Sequence, residues 1–310
     1  MSPESRLERG IQSSTDSPRA HADAAVADIA RLLISCPDRR GIIAAVSGFL
    51  HRRGVNIIQS DQYSTDPEGG SFYLRMVLHV PDVRKRLPQL RDEFATEVGE
   101  PLAMRFALSD TSVPKRVAVM VSRYDHCLLD LLWRWRRGEL GVNIGVVVSN
   151  WPDLEAEVAR FGVAYHHVPV TRDTKAAAEA RQLELIGGGR FDLIVLARYM
   201  QVLSADFLER AGCPIINIHH SFLPAFAGAG PYERAKARGV KLIGATAHYA
   251  TQDLDEGPII EQDVIRVTHR ESGQELIRLG ADVERTVLAR AVRWHCEDRV
   301  IVHGTATVVF

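Results

Sequence analysis

Apolar and polar positions alternate with two different rhythms along the chain, and the change of rhythm falls near residue 110. "RLLISC" is a short apolar run closed by Pro37 and Asp38, which predicts a buried strand. "GIIAAVSGFLHRRG" places Ile42, Ile43, Val46, Phe49 and Leu50 at helical spacing, and Gly54 stops it. "VNIIQSDQYS" and "SFYLRMVLHV" predict two strands joined across the turn-rich "TDPEGG". "DVRKRLPQLRDEFATEVG" reads as a helix despite Pro88, and "PLAMRFALS" as a strand. The resulting order, β-α-β-β-α-β, is that of a ferredoxin-like unit over residues 28–109, followed by a polar linker at 110–115.

From residue 116 to 310 the apolar runs become shorter and more regular. "RVAVMVS", "VNIGVVVSN", "VAYHHVPV", "FDLIVLA" and "PIINIHH" are strand-like, and helix-like segments at 125–137, 152–161 and 173–187 separate the first four. Strands alternating with helices predict a mostly parallel sheet covered on both faces, an α/β Rossmann-like architecture. "LIGATAHYA" and "GPIIEQDVIRV" add two strands. "SGQELIRLGADVERTVLARAVRWHC" predicts one long amphipathic helix, and "RVIVHGTATVVF" a terminal hairpin. Residues 1–27, rich in Ser, Asp, Arg and Ala, read as a disordered tail.

Charge narrows the partners. The 38 basic and 39 acidic side chains nearly cancel, so nothing favours nucleic acid or an anionic membrane as the main partner. Cys36, Cys127, Cys213 and Cys296 are far apart with no C-x-x-C pair, which fits reduced thiols rather than a zinc ribbon or a disulfide framework. No apolar run approaches the roughly 20 residues that span a bilayer. The start of the chain lacks the apolar block of a signal peptide. A soluble cytoplasmic protein is expected.

The candidate chemistry is concentrated in "IINIHHSFLP". In a strand, residues i and i+2 share a face, so Asn217 and His219 project together, and His220 is expected to point the other way. Ligands in open α/β sheets bind beyond the carboxyl ends of strands, where this pair should lie. An Asn amide and a His ring can together hold an oxyanion formed from a carbonyl. A short polar pair at a strand end can equally do no more than satisfy loose backbone groups. "GATAHYATQDLDEGPII" places Asp253, Asp255 and Glu256 in an acidic loop between two strands. One of these carboxylates beside His219 would orient it and accept a proton from water; the plain alternative is a solvated acidic loop. His219, His220 and His248 with the carboxylates could also gather a metal, but no metal-ligand spacing is present. "GGG" at 187–189 lies after a helix and before a strand, so it reads as a helix stop rather than a phosphate loop. Asp125 reads as an N-cap, Cys127 as a buried thiol, and "HH" at 166–167 has no evident metal partner.

"INIHHSFLPAF" and "GVKLIGATAHYATQDLDEGPIIEQDV" resemble the core of the formyltetrahydrofolate-dependent formyltransferases. With "LLISCPDRRGIIAAVSGFL", "VSRYDHCLLDLLWRWRRGEL", "YHHVPVT" and "VLARYMQVLS", the resemblance narrows to the formyltetrahydrofolate deformylases and covers about residues 30–310 in order. It implies an amino-terminal ACT domain followed by a formyltransferase-type catalytic domain. It implies Asn217, His219 and Asp255 as the catalytic trio, with His220 and His248 in support. Folate would bind against Arg198, Tyr199, Met200, Gln201, Val202, Leu203, Ala250 and Thr251. The implied reaction is hydrolysis of 10-formyltetrahydrofolate to formate and tetrahydrofolate, which balances the one-carbon folate pool and supplies formate for purine synthesis. Folate and water are the reactants, and no metal or other cofactor is implied. An ACT domain further implies a homo-oligomer and a small effector, plausibly an amino acid, near Asp38, Gly41 and Asn56. Two positions depart from the pattern: Gly230 in "GAGPYERA" replaces an expected basic residue, and Arg40 stands in a loop more usually "DRPG". The related glycinamide ribonucleotide transformylases hold the acceptor's phosphate on a Gly/Ser-rich loop after the first strand of this domain; "VSRYDHC" has no glycine there. That favours water over an amine acceptor. A formyltransferase to an amine, and a non-catalytic ACT-type regulatory binding protein, are the alternative readings.

Overall fold

The structure is a computed structural model and describes residues 28–66, 68–187, 191–225 and 230–310. The expected tail at 1–27 lies outside these residues, as do Gly188 and Gly189 of the glycine triplet.

The amino-terminal unit has the predicted order: β1 (Ile29–Pro37), α1 (Ile42–Arg52), β2 (Asn56–Ser64), β3 (Ser71–His79), α2 (Val83–Phe94) and β4 (Arg105–Asp110). Pro88 is accommodated within α2, which continues into a π-helical turn at Ala95–Gly99. The strands form one antiparallel sheet in the order β2-β3-β1-β4, with Leu32 opposite Met76. Buried residues alternate along β1, so one face carries the core. Phe49 of α1 and Phe94 of α2 meet edge-on at 5.2 Å within that core.

β4 runs through Asp110 and β5 (Lys115–Val121) opens at Lys115, so only residues 111–114 join the two sheets. The second unit continues with α3 (His126–Arg136), β6 (Val142–Ser149), α4 (Glu155–Ala159), β7 (Ala164–His167), α5 (Lys175–Ile186), β8 (Leu193–Ala197), α6 (Ala205–Arg210), β9 (Ile215–His219), α7 (Pro231–Arg238), β10 (Leu242–Tyr249), β11 (Ile259–Arg266), α8 (Gly273–Cys296) and the hairpin β12 (Val300–His303) and β13 (Ala306–Val309). The helix expected over 152–161 forms only over Glu155–Ala159; "NWPD" before it stays in bends and turns, as Pro152 and Asp153 dictate. The seven-stranded sheet has the order β11-β10-β9-β8-β5-β6-β7. Strands β5 to β9 are parallel and β10 and β11 antiparallel. β5 is buried from Val117 to Val121, as a central parallel strand must be.

α8 ties the two units together. Its carboxyl end points at the ACT-type sheet, and four successive carbonyls there receive donors from cations. Lys115 Nζ lies 3.5 Å from His295 O, Arg31 Nη1 donates to Cys296 O at 3.2 Å, and Arg75 donates to Glu297 O at 3.1 Å and Asp298 O at 2.9 Å. Carbonyls at and just past a helix end lack intrahelical partners, although His295 O also accepts from Asp298 N at 3.1 Å, and positive charge there complements the negative end of the helix dipole. The Asp298 side chain pairs in turn with Lys115 and Arg31 and accepts from Ser109.

Candidate active site

Asn217 and His219 lie at the carboxyl end of β9, and β10 runs antiparallel beside it with His248 directly opposite Asn217 and Thr246 opposite His219. A register shift against β11 at Ala247/His248 makes a bulge at this point, a common device for re-aiming a side chain beside a site. The loop after β10 returns over the strand ends carrying Asp255. Gly257 permits the return: a Cβ there would sit 1.7 Å from the Tyr249 carbonyl oxygen. Asp255 has φ 59, the left-handed region that a non-glycine residue occupies only when its surroundings enforce it.

The trio is assembled. His219 Nδ1 lies 3.2 Å from Asp255 Oδ1, and Asn217 and His219 line one cavity of about 270 Å³ with Asp255. The hydrogen bond with His219 holds the Asp255 carboxyl below the usual range against the opposing effect of burial, so the pair is an ionised acceptor facing a ring donor. His219 Nε2 is buried and has no hydrogen-bond partner among the described residues. A buried polar atom without a partner is uncommon and marks a place where a ligand or water belongs.

His248 fixes the Asn217 amide. Its Nδ1 faces the Tyr249 carbonyl at 3.0 Å, and a carbonyl only accepts, so Nδ1 carries the proton. Nε2 is then the acceptor and takes a hydrogen bond from Asn217 Nδ2 at 3.1 Å. Burial pushes His248 down, which keeps this neutral tautomer. The amide nitrogen keeps a second N–H, the group an oxyanion needs.

His220 does not follow the sequence expectation. β9 ends at His219, strand alternation stops with it, and His220 lines the same cavity with its ring 5.2 Å from that of His219. Burial, then the charge of Arg198, pushes His220 down to about 4.

The segment 199–203 and Ala250 and Thr251 line the same cavity. Met200 N donates to Ser122 Oγ at 3.0 Å and Ser204 N to Glu179 Oε1 at 3.0 Å, which anchors the segment at both ends. Met200 and Val202 are exposed apolar side chains, while the Tyr199 hydroxyl is tied to buried Gln182. Arg198 also lines the cavity, and its guanidinium lies 3.5 Å from Glu284 and over the Tyr124 ring. Leu208 and Leu254 complete the apolar wall; isolated leucines carry no sequence signal for this.

The expected effector residues are only partly brought together. Asp38 accepts from Ser64 Oγ and sits with Gly41 in the turn between β1 and α1. Asn56 pairs with His79, which also faces Ile29, whereas Pro37 faces Ser71. Asn56 is thus at the opposite end of the sheet, about 27 Å away at the strand rise per residue. Among the described residues, the group whose ligand atoms lie within 4.8 Å of one another is His126, Cys127 and Glu284. Burial pushes the Cys127 thiol well up, so it is a poor ligand there.

Residues 115–292 match the Formyl transferase family and residues 30–95 the ACT domain. Fold and site together are those of a formyl transferase catalytic domain carrying an ACT domain at its amino-terminal side. A formyltetrahydrofolate deformylase of Mycobacterium tuberculosis (strain H37Rv) is 60% identical over 284 residues, 92% of this chain and 91% of that protein. The crystal structure of a formyltetrahydrofolate deformylase from Pseudomonas syringae pv. tomato matches with a TM-score of 0.87 at 45% identity, covering 94% of this chain and 99% of that one. The chain belongs to the formyltetrahydrofolate deformylase family. A glycinamide ribonucleotide transformylase from Symbiobacterium toebii matches at a TM-score of 0.58 and 31% identity, over 64% of this chain and 94% of that one.

Proposed function

We propose that the protein hydrolyses 10-formyltetrahydrofolate to formate and tetrahydrofolate. The observation that carries this reading is the His219–Asp255 pair at 3.2 Å beside Asn217, in a cavity walled by the apolar segment 199–203. Folate lies against that wall and brings the formyl carbonyl to the trio. Water attacks the carbonyl carbon, Asn217 Nδ2 donates to the developing oxyanion, and the carbon–nitrogen bond to folate breaks. Asp255 and His219 carry the proton from water towards the leaving nitrogen, with His219 Nε2 facing the reactants. The side chains supply the whole of this chemistry without a metal or other cofactor.

The ACT domain is the place for a small effector, with Asp38 and Gly41 as its residues in this chain. Pairing of two copies along the edge strand β2, which exposes Ile58 and Tyr63, accounts for the expected oligomer. Among the described residues no helix is long and apolar enough to cross a membrane.

Purified protein given 10-formyltetrahydrofolate and no acceptor should release one formate per folate consumed. Release only after an amine is added would refute the hydrolase reading.

A further inference from the structure

In an open α/β sheet, the natural ligand crevice lies at the strand pair where the chain reverses its direction of travel across the sheet. Here that pair is β5 and β8: the chain leaves β5 for β6 and β7 on one side, then returns to β8 on the other. The catalytic trio is not in that crevice but one strand further on, at β9 and β10. The crevice itself is filled by the chain's own side chains. From the loop after β5, Ser122 donates to Asn150 Oδ1 at 2.7 Å and Tyr124 lies under the Arg198 guanidinium at 4.6 Å. His126, the first residue of α3, is 2.8 Å from Glu284 Oε2. Tyr232 of α7 donates to Glu284 Oε1 at 2.7 Å, and Arg198, from the end of β8, lies 3.5 Å from Oε2.

Glu284 is 1% exposed and Arg198 7%. Burial pushes the Glu284 carboxyl up, but the hydrogen bond with His126 and the charge of Arg198 outweigh it, and the group stays ionised. Removing one member of the pair would leave the other charge buried and uncompensated. The neighbour of Glu284 on the cavity side is His220, whose ring is 5.9 Å from Tyr232 and 5.2 Å from His219. Tyr124, His126, Tyr232 and Glu284 do not line the cavity; Arg198 alone of the cluster reaches its wall. The mechanism above uses none of these groups.

We propose that the Arg198–Glu284–His126–Tyr232 cluster determines acceptor specificity by occupying the crevice through which an amine would approach the formyl carbon from the His220 side. Water needs no such approach path and reaches the carbon within the cavity. This rests on the hydrolase reading and names the residues that make water the acceptor. In the competing reaction, an amine nitrogen bonds to the formyl carbon, the bond from that carbon to folate nitrogen breaks, and the proton lost by the amine goes to the leaving nitrogen.

The test uses the full chain, 10-formyltetrahydrofolate and glycinamide as a small primary-amine probe, and reads the ratio of N-formylglycinamide to formate. The ratio is independent of turnover rate, so slowed variants still report. The unaltered protein should give formate alone at every glycinamide concentration. Arg198→Ala and His126→Ala, each removing one member from a different element, should form N-formylglycinamide at about ten times the detection limit or more, the scale on which an emptied contact changes selectivity. His126→Ala is the milder change and decides the matter if Arg198→Ala does not fold. Formate release from folded variants with no formylated amine would overturn the proposal and leave the hydrolase reading standing, as would formylation of glycinamide by the unaltered protein alongside acceptor-free hydrolysis. No formate from the unaltered protein without amine would overturn the hydrolase reading itself.

Discussion

At the scale of single residues, the site depends on which atom carries a proton and which carries none. His248 donates through Nδ1 and accepts through Nε2, which leaves the Asn217 amide nitrogen with a second N–H to give; in the proposed reaction that N–H meets the oxyanion. Asn217→Ala should therefore lower kcat by roughly 10²–10³ with little change in KM, because the lost donor acts on charge that exists only in the transition state. Steady-state kinetics check this, and a change confined to KM would refute it. Asp255→Asn should cost roughly 10²–10⁴ in kcat, the range of positioned proton transfer. Unchanged turnover would remove Asp255 from the mechanism. Asn217 and His219 were legible in the sequence because i and i+2 on a strand share a face. His220 was misplaced because alternation says nothing once the strand has ended. Glu284 was passed over, yet a signal existed: it sits between Gly280, Val283, Val287 and Leu288 on the apolar stripe of a long helix, where a carboxylate survives only with partners.

At the scale of elements, α8 is the member that most others lean on. Its start is closed by a reciprocal cap, with Ser272 Oγ accepting from Glu275 N at 3.2 Å and Glu275 Oε2 accepting from Ser272 N at 2.6 Å. Ser272→Ala should cost about 1 kcal/mol, read as a lower urea midpoint with unchanged slope. Gly280 shows the opposite of its usual behaviour. Alanine in a helix interior normally gains about 1 kcal/mol over glycine. At Gly280 an added Cβ would sit 1.9 Å from the Tyr232 hydroxyl oxygen and 2.2 Å from the ring carbon that bears it. Gly280→Ala should therefore destabilise, with overpacking costing about 1–3 kcal/mol. A raised midpoint would show that Tyr232 yields freely. Periodicity was sufficient to read α8, both sheets and the terminal hairpin. It overextended α4, because turn residues at 151–153 outweighed the helical spacing that followed. It could not group Asp38 with Asn56 correctly either, since placing the two ends of a sheet requires the register, which only pairing supplies.

At the scale of the whole molecule, pH acts through half-buried histidines. Burial pushes His220 and His295 down to about 4, helped by Arg198 at the first and Lys115 at the second. In the unfolded chain both bind a proton at about 6.5. Between these values the unfolded chain holds more protons, so stability is full above about pH 6.5 and falls as pH drops towards 4. Each residue contributes up to about 3 kcal/mol to that loss. The urea midpoint should drop between pH 7 and 4.5, and His295→Gln should flatten part of the drop; a midpoint insensitive to acid would contradict the assignment.

The cations at the carboxyl end of α8 bear on how the chain can be divided. Arg31 and Arg75 belong to the amino-terminal sheet, yet the carbonyls they satisfy close the principal helix of the catalytic unit. That helix also supplies His295, which meets the Tyr249 hydroxyl at 2.7 Å, one residue from His248. Cutting the chain at residue 111 would remove the ACT domain and, in one stroke, the terminal cap of the longest helix of the catalytic unit. The two units therefore stand to one another less as cargo and carrier than as keystone and arch.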